Sequence, residues 1–319
     1  MVNRLKYIIF FILITILLIF PTIIRNDYQI YLINRSFIHV IIACGLVFLT
    51  GFAGQISLGQ AGFYAIGAYT SSILTTKLGV PVGIGILCGI ILSVIAGFVL
   101  SIPSFKLKAF FLSLVTIAFG QIVWMLILNL ENITGGPGGF FNVPFIKIFN
   151  INFTNKEYYY LLLLILIIIH YIIIRIRNSF IGLQMLAMND DENAAESCGI
   201  NVKKIKIFSF GFSAGLAGLA GGLYAHLAGF LTPEPFVFFE SSNFVAMAVV
   251  GGLRSLWGGL IGGITLTFLP ELFRLNIRGF ENYYLIFSST IVVLIVVFLP
   301  NGLGNKLSQI YDYFNKKFT

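Results

Sequence analysis

Apolar runs long enough to cross a lipid bilayer recur along the whole chain, and this constrains its fold more than anything else in the sequence. A hydrocarbon core of about 30 Å takes about 20 helical residues. Runs of this kind predict helices near 7–24, 37–50, 61–77, 82–103, 109–130, 157–174, 207–230, 240–253, 255–275 and 283–300. Those at 37–50 and 240–253 are short and read as half-helices or re-entrant segments, which leaves about 8–10 crossings. Only 10% of the 319 residues are charged, against roughly 25% in a soluble domain. The expectation is an all-α polytopic membrane protein, one transmembrane domain over 1–319. Residues 7–24 follow Arg4 and Lys6 as the core of a signal peptide would. No small-x-small cleavage site follows them, so they are expected to be a retained first helix.

Basic residues orient such a chain, because Lys and Arg accumulate in cytoplasmic loops. With the N-terminus inside, ten crossings place 13 of the 20 Lys and Arg residues in the cytoplasm and seven outside, Arg25, Arg35 and Lys77 among the seven. Both termini are therefore expected to be cytoplasmic. Residues 131–156 become an outside loop and residues 175–206 a cytoplasmic one. Neither is long enough for an ATPase or another catalytic domain. The formal charge of +8 sits in short runs between apolar stretches, which argues against nucleic-acid binding. Cys44, Cys88 and Cys198 are far apart, as are His39, His170 and His226, so no metal or disulfide framework is expected. Glu240 and Glu271 fall near the outer ends of helices, and charge within the membrane is otherwise nearly absent. A proton-coupled carrier needs a buried relay of such groups.

Four segments stand out. In Gly51-Phe52-Ala53-Gly54-Gln55-Ile56-Ser57-Leu58-Gly59-Gln60-Ala61-Gly62, glycines and polar side chains interrupt two apolar runs. Broken helices at membrane depth line protein-enclosed or water-filled paths, and this reading makes Gln55, Ser57, Gly59 and Gln60 candidates for a solute path. A cytoplasmic turn with close helix packing is the plainer alternative. In the cytoplasmic loop, Asn189 with Glu192 three positions later resembles a capping box, and Gly199 suits a helix end. One short helix over 190–198 is predicted, with Ala194, Ala195 and Cys198 on one side. Gly211, Gly215, Gly218 and Gly222 form a small-residue ladder, and Gly258/Gly262 and Gly259/Gly263 repeat its spacing; both are expected to serve helix packing. Finally, Thr134-Gly135-Gly136-Pro137-Gly138-Gly139 lacks the Lys-Ser/Thr of a phosphate loop and reads as a turn or a docking surface.

Taken in order, LTGFAGQISLGQAGFYAIGAYTSSILT (49–75), ITGGPGGF (133–140), DENAAESCGINVKKIKIFSFGFSAGLAGLAGGLYA (191–225) and FVAMAVVGGLRSLWGGLIGG (244–263) resemble the M-type permease of branched-chain amino acid ABC transporters. Related urea-importer permeases share much of the pattern. The resemblance spans about residues 36–303. It implies a multi-pass subunit of a prokaryotic cell membrane, surrounded by lipid. Its partners would be a second, H-type permease, two cytoplasmic ATPases that use the ATP, and an extracytoplasmic solute-binding protein. No cofactor would be bound by this chain. The family's Glu-Ala-Ala-x-x-x-Gly coupling loop falls on Asn193-Ala194-Ala195-Glu196-Ser197-Cys198-Gly199, with Asn in place of the leading Glu and no downstream Ile-x-Leu-Pro. The alternatives are a urea or short-amide permease and an ion-coupled secondary transporter. A membrane-embedded enzyme ranks last, since no HExxH, Ser/His/Asp set or carboxylate pair occurs in the apolar runs.

Overall fold

The computed structural model describes residues 20–22, 26–103, 109–148, 151–276, 284–299 and 302–304. Most of the expected first helix, 7–24, lies outside them, as do Lys106, Lys108, Lys306 and the residues around Lys317. Among the described residues the regular structure is helical apart from one antiparallel hairpin of two two-residue strands, and the long helices follow the apolar runs.

Helix α1 is Asp27–Leu46 and continues as a π-helical turn, Val47–Phe52. After a non-helical stretch come α2, Gln60–Lys77, α3, Val82–Ser101, and α4, Ala109–Asn129. A short α5, Glu131–Thr134, and the hairpin β1, Lys147–Ile148, with β2, Ile151–Asn152, precede α6, Asn155–Arg177. Two short helices follow, α7, Phe180–Asp190, and α8, Glu192–Ser197. The last four are α9, Val202–Ala228, α10, Phe238–Gly251, α11, Gly258–Asn276, and α12, Tyr284–Phe298.

Among the described residues five spans are long and apolar enough to cross a bilayer: 27–52, 82–101, 111–129, 155–177 and 202–228. Their surroundings differ. α1 is almost wholly buried, its Asn34, Ser36 and His39 included, which puts it at the centre of the bundle. α3, α4 and α6 instead present Ile91, Ile95, Val99, Ile122, Leu126, Leu164 and Ile168 outward, an apolar outer surface. Three placements differ from expectation. The run at 37–50 is a full span beginning at Asp27, because Asn26 caps Tyr28 N–H and starts the helix early. α9 begins at Val202, capped by Asn201. The loop expected over 175–206 consequently narrows to 178–201.

Loops fall into two groups. At one end Lys77 Nζ donates to the Asn132 carbonyl at 2.6 Å, and Phe140 bridges Leu231. At the other, Asn189, Gly51, Leu253 and Arg254 meet: Arg254 pairs with Asp190 at 3.1 Å, and a Cβ at Gly51 would run into the Leu253 carbonyl. This grouping matches an alternating in–out path.

The glycine ladder is a helix seam. Side chains at Gly211, Gly215, Gly218 and Gly222 would meet Phe98, Val94, Ser93 and Ile86, all of α3. Close approach of backbones is what small residues four apart allow. The α11 glycines split by register: Gly258 and Gly262 face α10, Gly259 and Gly263 face Cys44 and Val40 of α1.

Candidate functional site

Residues 53–59 break the helical path inside the protein. The π-helical turn ends against the loop group of Asn189, Leu253 and Arg254, and the chain then climbs back before α2 starts. Its position follows from its partners. Leu58 N–H donates to Thr116 Oγ1 at 3.0 Å, Gln60 Nε2 to Ser213 Oγ at 3.0 Å, and Ala61 N–H to Ser241 Oγ at 2.9 Å. At a helical rise of 1.5 Å per residue, Thr116, Ser213 and Ser241 lie about 10, 16 and 15 Å from the ends of α4, α9 and α10 in that loop group. α2 therefore begins about half-way through the bundle, its first amides held by side chains of three other helices. This satisfies the requirement that freed backbone groups at membrane depth find protein partners.

The four sequence candidates lie together at this break. Gln55 is 3% exposed, and Ser57 and Gln60 are fully buried. Gly59 packs against the Thr116 backbone. Both amide atoms of Gln55 and the Gln60 Oε1 have no hydrogen-bond partner. A buried polar atom left unpaired costs about 1–3 kcal/mol, so this interior carries spare polar capacity.

The break is tied to the loop helices. Gly54 has φ +67°, a left-handed conformation that glycine adopts freely, and it sits against the Asn189 side chain. Asn189 Nδ2 donates to the Gly51 carbonyl at 2.8 Å. The short helix expected over 190–198 is α8, Glu192–Ser197, and a further helix that was not expected, α7, precedes it. α7 runs through Asn189 because Gly182, Met185 and Met188 continue a buried face. The cap is Asp191, whose Oδ1 accepts from Asn193 and Ala194 N–H. Gly199, φ +82°, ends α8 as expected. Its N–H bonds Glu196 and that of Ile200 bonds Ala195, a Schellman pair. Ala194 and Cys198 are exposed, but Ala195 is only 4% exposed and packs into this chain's own core. Lys206, buried, pairs with Glu192 at 2.6 Å and anchors α8 to α9. α7 also exposes Phe180, Ile181 and Leu183.

Sequence reasoning placed Arg35 in an outside loop. It stands instead inside α1, about 12 Å from the helix start, on the stripe Tyr31, Arg35, His39 spaced four apart. The guanidinium is partly buried, its Nε has no partner, and Glu240, Tyr31, Tyr64 and Tyr224 lie within electrostatic reach. Glu240 sits in the first turn of α10, where a negative charge suits the helix dipole, and accepts from Asn243 at 3.4 Å. Aromatic rings close around them: Tyr64 packs on Tyr224, Phe236 and Phe244 at 5.5, 5.2 and 5.8 Å between centroids. The signal that would have found Arg35 was the Asn26-Asp27 start, which moves the helix ten residues upstream of its expected beginning at 37.

The histidines are packed side chains. His39 bonds Thr267 Oγ1 at 2.9 Å, and His226 joins Ser71 Oγ and the Pro144 carbonyl. His170 lies against Trp257, ring centroids 4.4 Å apart.

Comparisons with known proteins agree with this architecture. The family model described as branched-chain amino acid transport system / permease component matches residues 28–297. The high-affinity branched-chain amino acid transport system permease protein LivM of Escherichia coli (strain K12) is 32% identical over 292 residues, 84% of this chain and 68% of the relative. The ribose import permease protein RbsC of Haemophilus influenzae is 26% identical over 328 residues, 96% of this chain and 95% of the relative. A probable branched-chain amino acid transport permease protein LivH of Methanocaldococcus jannaschii is 31% identical over 127 residues, 38% of this chain and 40% of the relative. No solved structure matches.

Proposed function

The chain belongs to the branched-chain amino acid transport permease family, and from that premise we propose that it is the membrane-spanning subunit of an ATP-driven importer for branched-chain amino acids. The observation that carries this reading is the interior break at 53–59. A helix starting half-way through a bundle, beside unpaired buried amides, suits a translocation path, and the same break is bonded to the loop helices through Asn189 and Gly51.

Energy enters through partner chains. Two cytoplasmic ATPases hydrolyse ATP, and this chain binds none. The loop 178–201 lies against them, with Ala194 and Cys198 of α8 and the apolar face Phe180, Ile181 and Leu183 of α7 forming the contact. Ala195 holds α8 to its own protein instead. ATP-driven movement of α7 shifts Asn189 and therefore the Gly51–Gly54 turn. The loop expected over 131–156, here 130–154 between α4 and α6, faces the extracytoplasmic solute-binding protein, and a second, H-type permease completes the path. Both termini are cytoplasmic in the cell membrane.

Reconstitution tests the reading. Co-expressed with the neighbouring permease, ATPases and binding protein in proteoliposomes, the chain is expected to take up leucine only with ATP inside the ATPase compartment. Uptake driven by an ion gradient without ATP would favour a secondary transporter. ATP-dependent uptake of urea but not leucine would favour the short-amide reading.

A further inference from the structure

The importer reading leaves open what recognises the solute within the membrane. The break supplies neutral amides and hydroxyls, which meet a polar solute but not a charge. An amino acid crosses as a zwitterion and brings one charge of each sign.

We propose that Arg35 and Glu240 form a binding site for a zwitterionic amino acid, Arg35 taking the α-carboxylate and Glu240 the α-ammonium, with Tyr31 and Tyr224 against the side chain. The inference rests on the importer reading and names the solute contacts of that same path.

Three observations carry it. First, an arginine within a membrane span costs about 2.5–3.5 kcal/mol on insertion scales, and such residues mark substrate paths unless paired. Arg35 is not paired: among the described residues the ion pairs are Lys206–Glu192 and Arg254–Asp190, and Arg35 Nε is buried without a partner. Second, the opposite charge is near but not closed upon it. Phe244, one turn after Glu240, packs on His39, one turn after Arg35, at 5.6 Å between ring centroids, which sets the two charged residues on neighbouring faces of α10 and α1, yet among the described residues no ion pair joins them. Third, the surroundings are amphipathic. Tyr31 and Tyr224 are partly buried beside the pair, the rings of Tyr64, Phe236 and Phe244 back them, and Phe238 and Phe239 next to Glu240 are exposed. A guanidinium fork fits a carboxylate in bidentate fashion. Aromatic faces accept both an aliphatic side chain and an ammonium. A sugar or urea brings no such pair of charges.

The site leads to the break. His39 follows Arg35 by one turn and meets Phe244. Further along α1, Gly45 packs on Ser213, the partner of Gln60. Arg35 is thus linked through α1 and Ser213 to the break at 53–59.

The test uses the full complex with Phe239→Cys, an exposed position beside Glu240, labelled by a thiol reagent. Millimolar leucine is expected to slow labelling. Leucinamide, which lacks the carboxylate, and isocaproate, which lacks the ammonium, are expected not to. Equal protection by either analogue overturns the proposal. In uptake, Arg35→Gln and Glu240→Gln should each raise the leucine KM by about tenfold or more, Arg35→Lys should recover part of the loss, and the double Gln variant should be the poorest. If the double variant is instead better than either single one, the charges only neutralise each other and the proposal fails. Gel filtration of each variant complex separates a folding defect from a binding one, and the labelling arm keeps both charges intact. Wild-type complex that takes up no leucine overturns the importer reading and this site with it. Wild-type uptake with unchanged variants overturns this site alone.

Discussion

Asn189 Nδ2 donates to the carbonyl of Gly51 across 2.8 Å, joining α7 to the π-helical turn that ends the span beginning at Asp27. The two residues are 138 positions apart in sequence. Arg177 stands over the Phe52 ring at 5.7 Å, so the same turn is held from two directions. Substituting Asn189 by Leu removes the bond and leaves the Gly51 carbonyl unpaired, a loss of about 1–3 kcal/mol. The complex is expected to assemble, with ATP hydrolysis no longer stimulated by loaded binding protein. Normal stimulation in Asn189→Leu would remove this contact from the coupling route.

Gln55 separates packing from transport. Because neither amide atom has a partner, Gln55→Leu removes a desolvated polar group and should leave thermal stability unchanged or raise it by about 1 kcal/mol. Leucine uptake is expected to fall. A variant that is as stable and as active as the parent places the solute path elsewhere.

Gln60 behaves differently, since its Nε2 is bonded to Ser213. Gln60→Leu should cost about 1 kcal/mol of stability as well as transport. Ser213→Ala should reproduce the stability loss in a thermal melt; if it does not, the bond contributes nothing to the fold.

The helix seam is sensitive to added volume. Gly215→Leu must displace Val94, and Gly218→Leu must displace Ser93 and the Gly89 backbone. Overpacking costs about 1–3 kcal/mol where neighbours yield and more against backbone, so Gly218→Leu should lower folded yield more than Gly215→Leu. Membrane-fraction yield and gel filtration read this directly. Equal yields would mean that α3 moves away without cost.

The loop face is tested at its exposed positions. Ala195→Arg forces a charge into this chain's own core and should reduce folded protein. Ala194→Arg should fold normally and lose ATPase stimulation. Cys198, exposed in the isolated chain, should react with maleimide in free permease and be shielded in the full complex. Cys198 labelled equally in both would move the ATPase contact off α8.

Much of this architecture was legible in the sequence because lipid imposes a length. About 20 apolar residues are needed for each span, and the helices from Gln60 to Phe298 begin and end within a few residues of their apolar runs. The glycine spacing foretold a seam for the same reason: absent side chains leave a groove whatever fills it. Local chemistry also foretold the Gly199 helix end, a backbone conformation set by one residue. What distance in sequence conceals was decided by tertiary structure. Arg35 reads as a loop residue until α1 is seen to start at Asp27, and its relation to Glu240 exists only because α10 packs beside α1. Ala195 turns inward although its neighbour Ala194 faces out, since α8 is pinned to α9 by Lys206 and Glu192. The break at 53–59 showed as glycine and glutamine in the sequence. Its place half-way through the bundle came from Thr116, Ser213 and Ser241, three hydroxyls on three other helices, because a backbone amide freed inside lipid must find its partner wherever the fold brings one.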